Sequence, residues 1–137
     1  MPLRLELKPF ERLIINGALL RNGDRRSTFL IETQCKFLRE SEIITESEAD
    51  TACKRLHLTL TVIYLADDPT QSIDLFFRQA TDLLGLAPAA AGQIAAIAQA
   101  VEAGEYYRSL KLSRKLVEWE AAGSASQAVV PDQAAAP

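Results

Sequence analysis

The chain has one histidine, His57, and two cysteines, Cys35 and Cys53, in 137 residues. Two thiols without a CxxC or Cys/His spacing neither hold zinc nor build a disulfide framework, so both read as small, half-buried apolar residues of a reducing compartment. A lone histidine in an otherwise apolar segment reads as a hydrogen-bonded structural residue before it reads as a catalyst. No GxSxG, GxxxxGK[ST], HExxH or GxGxxG occurs, and the serines have no recognisable base. Asp67 and Asp68 stand beside Pro69, where a helix boundary accounts for them. The chain is not expected to be an enzyme, and no metal or cofactor is expected. Also missing is any apolar run near the roughly 20 residues that span a bilayer. The opening MPLRLELK alternates instead of forming a signal-peptide core. A cytoplasmic protein with no membrane attachment is the expectation.

With 48% hydrophobic and 24% charged residues the composition is that of a globular protein, and the length suits one ordinary domain. Charge is uneven. Residues 1–55 hold ten Lys/Arg against nine Asp/Glu (+1), and residues 56–137 hold five against nine (−4), within a formal net charge of −3. The first half is the better face for an anionic partner.

Leu3, Leu5 and Leu7 alternate with Arg4, Glu6 and Lys8, the period of a half-buried strand, which Pro9 stops. Leu13 to Ile15 run into Asn16-Gly17. The runs ALLR and STFLIE flank Asn22-Gly23-Asp24, a strong hairpin signal, and a further strand is expected around Lys36 to Leu38. About four short strands of a small antiparallel sheet are expected in this half. After Arg39 comes an acidic, polar stretch in which Thr45 and Glu48 form a capping box. CKRLHLTLTVIYLA fits a strand through Leu56, Leu58, Leu60 and Val62, and a helix face through Cys53, Leu56, Leu60, Ile63 and Tyr64. A helix is preferred, ending at Asp67-Asp68-Pro69.

Thr70 or Ser72 is expected to cap the next helix, with Ile73, Phe76, Phe77, Ala80 and Leu84 on one face and Gly85 at its end. Pro88 opens an Ala-rich helix that Gly104 closes, and EYYRSLKLSRKLVEWEAA is the last, with Tyr106, Leu110 and Val117 as its core stripe. The fold class is therefore α+β: a single domain over 1–122, made of a small N-terminal antiparallel β unit (1–43) and a C-terminal helical bundle (44–122). Residues 123–137, small, polar and Pro-containing, are expected to be a disordered tail.

Three arginines, Arg21, Arg25 and Arg26, crowd the expected hairpin tip. A guanidinium presents a planar fork that matches phosphate and stacks on bases, so these residues suit an RNA backbone, with Asn22 adding base-edge contacts and Lys54 and Arg55 further charge. The plainer alternative is a solvated turn in which Asp24 neutralises one arginine. On the last helix Arg108, Lys111 and Lys115 cluster near Trp119, a candidate partner-binding face or simply cover for a neighbouring helix. Exposed aromatics are expected to be scarce in the β half.

The start L-x-L-K-P, the I-N-G-A, the R-N-G-x-R-R turn, the CKFLRESEI and TACKRLHL segments and the late Y-x-x-L-K-x-x-R occur together and in order. In this combination, over roughly residues 2–120, the chain resembles the FlbT family, the flagellin-synthesis repressors of alphaproteobacteria. Members often carry Pro at the position of Ala52 and Gly at that of Phe10, which leaves the start of the helix and the shape of the first turn open. The resemblance implies a post-transcriptional regulator acting on the 5′ untranslated region of flagellin mRNA, lowering its stability or translation; in some relatives the effect is positive. It implies no catalytic residue or cofactor and assigns no RNA-contacting residue. PFERLIINGA with the short strands and LRESEI is also similar, over a short gapped stretch, to the carbon storage regulator proteins, small β-rich dimers that bind mRNA leaders. A homodimer is one implied state. A protein adaptor or chaperone for flagellin or another flagellar regulator stands as the alternative function.

Overall fold

Alternating and β-branched runs separated by turn residues make five strands of the first 39 residues: β1 Leu3–Leu7, β2 Arg12–Ile15, β3 Ala18–Arg21, β4 Ser27–Ile31 and β5 Phe37–Arg39. The computed structural model describes residues 2–129. The strands form two antiparallel sheets. β1 pairs with β4, Leu3 opposite Ile31 and Leu7 opposite Ser27, and β2 lies between β3 and β5.

The hairpin expected at Asn22-Gly23 is not formed, because β3 and β4 do not pair. The tight turn belongs to the earlier Asn-Gly pair. Asn16 and Gly17 have φ of 49° and 86°, the two positive values that a type I′ turn requires, and they set Ile15 opposite Ala18. Asn16 also bridges to β5, its Oδ1 accepting the Lys36 N–H at 3.1 Å. Leu5, Leu7 and Leu13 are buried together, with Ile15, Ile31 and Phe37 packed against them.

Four α-helices follow among the described residues: α1 Ala52–Leu65, α2 Thr70–Leu86, α3 Ala91–Glu102 and α4 Tyr106–Val129. The chain divides into two compact units, one built on Met1–Ile44 with Leu65–Asp67, the other on Thr45–Tyr64 and the chain from Asp68 on. In α1 the helical face prevails over the alternating one: Cys53, Leu56, Leu60 and Ile63 are buried while Val62 is exposed. Its threonines are accommodated by back-bonding, Thr59 Oγ1 to the Arg55 carbonyl and Thr61 Oγ1 to that of His57.

The Thr45/Glu48 box is present, with the Thr45 N–H on Glu48 Oε1 at 2.9 Å, yet it caps a 3-10 turn, Glu46–Glu48. α1 starts later. Thr51 Oγ1 accepts the Lys54 N–H, and Glu120 on α4 accepts from Thr51 Oγ1 at 2.5 Å and from the Cys53 N–H at 3.4 Å. His57 with Ser113 and Tyr64 with Tyr107 continue the series, so α1 and α4 run antiparallel. On α2, Asp68 supplies the first acceptor, bonding the Thr70 N–H and hydroxyl, in place of Thr70 or Ser72. The buried stripe there is Phe76, Ala80 and Leu83, with Leu84 exposed. Gly104, at φ 76°, closes α3 as expected.

Of the stripe expected through Tyr106, Leu110 and Val117, Leu110 is buried and the other two are half-buried; the buried face is turned toward Ser109, Ser113 and Leu116. Of the tail expected over 123–137, residues 123–129 instead continue α4 to Val129. A single helical glycine costs only about 1 kcal/mol against the alanines around it. Residues 130–137 lie outside the described residues.

Candidate nucleic-acid interface

Two loops of the β unit are laced to each other. In the first, Pro9 fixes its own φ and the Glu11 N–H returns to the Lys8 carbonyl at 3.1 Å, which puts Phe10 at the third position of a β-turn with φ 63°. A prolyl second position followed by positive φ is the type II pattern, whose third residue is ordinarily glycine. Glu11 completes the turn by accepting the Lys8 N–H at 2.8 Å.

The second loop carries the arginines and is ordered by Asn22. Its Nδ2 donates to the carbonyls of Leu7 (3.3 Å), Lys8 (2.8 Å) and Arg25 (2.8 Å), while its Oδ1 accepts from Gly23 N–H and Ser27 Oγ. Further bonds join the loops: Phe10 N–H to the Gly23 carbonyl and Asn22 N–H to that of Glu11, both 2.8 Å, and Arg21 Nη1 to the Phe10 carbonyl at 3.0 Å. Lys8, Phe10, Arg21, Arg25 and Arg26 are thereby held at one end of the unit.

Asn22, expected to read bases, has its polar atoms engaged by the loop itself; its role is to shape the arginine loop. Arg21 spends one N–H on a carbonyl. Arg25 and Arg26 are exposed, and among the described residues neither has an ion-pair partner, Asp24 included. Glu40 is occupied elsewhere. The Arg12 N–H, at 2.5 Å, holds its carboxyl below the ordinary 4.5, aided by the Arg12 charge and more weakly by Arg21, against partial desolvation.

Lys54 and Arg55 lie on α1, in the helical unit. Lys54 pairs with Asp50 at 3.1 Å, and this bond is the main cause of the lowered Asp50 carboxyl; Arg55 is exposed. The α4 residues share an outward stripe. Arg108 pairs with Glu105 at 3.0 Å, Lys111 sits 5.3 Å from the Tyr107 ring centre, and Lys115 and Trp119 are exposed.

His57 Nδ1 lies 2.5 Å from Ser113 Oγ, which is also 3.0 Å from the Leu110 carbonyl, so the ring is tied to a buried serine of α4. Cys53 is buried, and desolvation, with Glu120 nearby, pushes its thiol up to about 12, so the reactive thiolate is suppressed. Among the described residues no group of three or more His, Cys, Asp or Glu is placed to hold a metal, and no helix is long and apolar enough to cross a membrane.

Phe10, which is 56% exposed, and Lys8 were not among the site residues expected from the sequence. Phe29 is exposed too, so the β half is not short of accessible aromatics. The available signal was Lys8-Pro9-Phe10-Glu11 itself, since proline at the second place of a turn forecasts a third residue held outward.

Fold and site together define an α+β protein whose β unit presents a laced, cationic loop pair. The family described as "Flagellar protein FlbT" matches residues 3–123. The "Probable flagellum biosynthesis repressor protein FlbT" of Rhodopseudomonas palustris (strain TIE-1) is 37% identical over 120 residues, covering 88% of this chain and 95% of that protein. The protein of that name from Caulobacter sp. (strain K31) is 36% identical over 123 residues, covering 88% and 94%. The "Flagellum biosynthesis repressor protein FlbT" of Caulobacter vibrioides (strain ATCC 19089 / CIP 103742 / CB 15) is 33% identical over 123 residues, covering 88% and 87%. No solved structure matches the chain. The chain belongs to the FlbT family. Its curated relatives are named as repressors, which is not a class of enzymes.

Proposed function

We propose that this protein regulates flagellin expression after transcription, in the cytoplasm, by binding the 5′ untranslated region of flagellin mRNA and promoting its decay or blocking its translation. The regulatory role follows the names of its relatives, all flagellum biosynthesis repressors. RNA as the target is supported by Arg25 and Arg26, two exposed guanidiniums without carboxylate partners among the described residues, on a loop that Asn22 holds in shape. Preorganised cations meet a phosphate chain without first breaking internal ion pairs. Decay of the message then falls to a recruited nuclease or an exposed cleavage site.

Titrating purified protein into a flagellin leader RNA in a mobility-shift assay tests this. Binding should weaken as salt rises, and the variant R21A/R25A/R26A, with its circular dichroism unchanged, should bind at least ten-fold more weakly. Unaltered binding by the triple variant would reject the proposal.

A second reading, a protein-interaction adaptor or chaperone for flagellin or another flagellar regulator, draws support from β3 and β4. Leu19 and Leu20 are neighbours on β3, hence on opposite faces, and are 60% and 49% exposed; Phe29 and Leu30 repeat this on β4. Strands apolar on both faces are suited to being covered. Co-purification with flagellin that is lost in L19S/L20S, together with no affinity for leader RNA, would favour it.

A further inference from the structure

We propose that Phe10 is a stacking platform for an unpaired RNA base, the aromatic centre of the cationic loop pair. The inference rests on the RNA reading above and adds the mode of contact.

Phe10 occupies a turn position whose φ of 63° is costly for any residue with a Cβ and free for glycine. Burial does not offset that cost, because Phe10 is 56% exposed. Folding alone therefore favours glycine here, and the presence of a large aromatic points to a use for the ring outside the protein's own core. The backbone beneath the ring is clamped on both sides, its N–H on the Gly23 carbonyl at 2.8 Å and its carbonyl on Arg21 Nη1 at 3.0 Å. The ring thus projects from a fixed base.

Its surroundings suit a nucleotide. The Arg21 guanidinium reaches the carbonyl of Phe10 itself, Lys8 lies two residues before it, and the loop bearing Arg25 and Arg26 is bonded to the same turn through Asn22. An aromatic face flanked by cations lets a base stack while its phosphates are neutralised, and needs no particular base identity.

The test compares Phe10→Gly, Phe10→Leu and R25A/R26A, by titrating a fluorescent single-stranded leader RNA at several salt concentrations. Phe10→Gly should fold with an equal or higher melting temperature and lose roughly 5- to 150-fold in affinity, the range of one base stack. Its plot of log affinity against log salt should keep the parent slope, because no phosphate contact is lost. Phe10→Leu, which keeps apolar bulk without a ring, should bind as weakly. R25A/R26A should instead lower the slope, by about 0.7 for each contact removed. Parent-like affinity in Phe10→Gly and Phe10→Leu, with R25A/R26A still impaired, would overturn the stacking role and leave the RNA reading standing. Parent-like RNA affinity accompanied by loss of a protein complex would give the ring to a protein contact and overturn it as well. Absence of RNA binding by the parent would reject both.

Discussion

In the helical unit Leu56, Leu60, Ile63, Phe76, Ile94, Ile97 and Leu116 are buried, and Lys54 and Arg108 have carboxylate partners one helical turn away. In the β unit Leu19, Leu20, Phe29 and Leu30 stay exposed, Phe10 stands in a left-handed turn, and Arg25 and Arg26 have no ion pair among the described residues. Both units come from one chain of unremarkable composition, so the difference is one of placement. Helices satisfy their backbone internally and need only one buried stripe, whereas short strands leave edges and second faces open. The helical unit exposes apolar side chains too, Leu86 and Trp119 among them, so what sets the β unit apart is that its exposed Phe10, Arg25 and Arg26 sit on one pair of laced loops.

The largest expected effect lies in the closed core. Leu60→Ala, at a position with no exposed surface, should cost about 2–5 kcal/mol, read by urea denaturation. A loss below about 1 kcal/mol would mean that the site collapses around the cavity and the helical core is less tightly packed than described.

Asn22→Ala is next. It leaves the carbonyls of Leu7, Lys8 and Arg25 without the amide that gathers them and should cost about 1–3 kcal/mol. Amide exchange at Phe10 and Asn22, whose N–H groups bond across the two loops, should quicken in this variant. Unchanged exchange at those two amides would assign the order of the loops to their backbone bonds alone.

The smallest effect is in acid. Glu40, in the β unit, has its carboxyl lowered chiefly by the Arg12 N–H; Asp68, in the helical unit, has its own lowered chiefly by the Thr70 hydroxyl. A carboxyl lowered by folding contributes stability that is whole above its unfolded value, 4.5 for Glu40 and 3.8 for Asp68, and that fades as pH falls through the folded one. Glu40→Gln and Asp68→Asn should each flatten part of the fall in melting temperature below about pH 4.5. An unchanged acid limb in Glu40→Gln would show that Arg12 does not depend on this partner.

Much of the local structure was legible, and the misreadings share one origin. The α1 segment fits both a strand and a helix period, and its length with the Asp67-Asp68-Pro69 stop favours the helix, whose spacing then gives the buried face through Cys53, Leu56, Leu60 and Ile63. Asn16-Gly17 and Asn22-Gly23 carry the same local hairpin signal, yet only the first makes the turn. The second is drawn off because the Asn22 amide finds the carbonyls of Leu7 and Lys8, 15 and 14 residues earlier in the chain. Likewise the cap of α1 includes Glu120, 69 residues from Thr51, which no window around Thr51 contains.

The amino-acid order by itself determined the succession of strands then helices and, once α1 is a helix, its core face, because these rest on dihedral preference and periodicity within a few residues. Tertiary structure alone decided which strands pair, which Asn-Gly pair makes the tight turn, what closes the start of α1, and that Phe10, Arg25 and Arg26 share one end of the β unit. Those outcomes depend on hydrogen-bonding groups far apart in the chain, and which of them meet is fixed only once the backbone has folded.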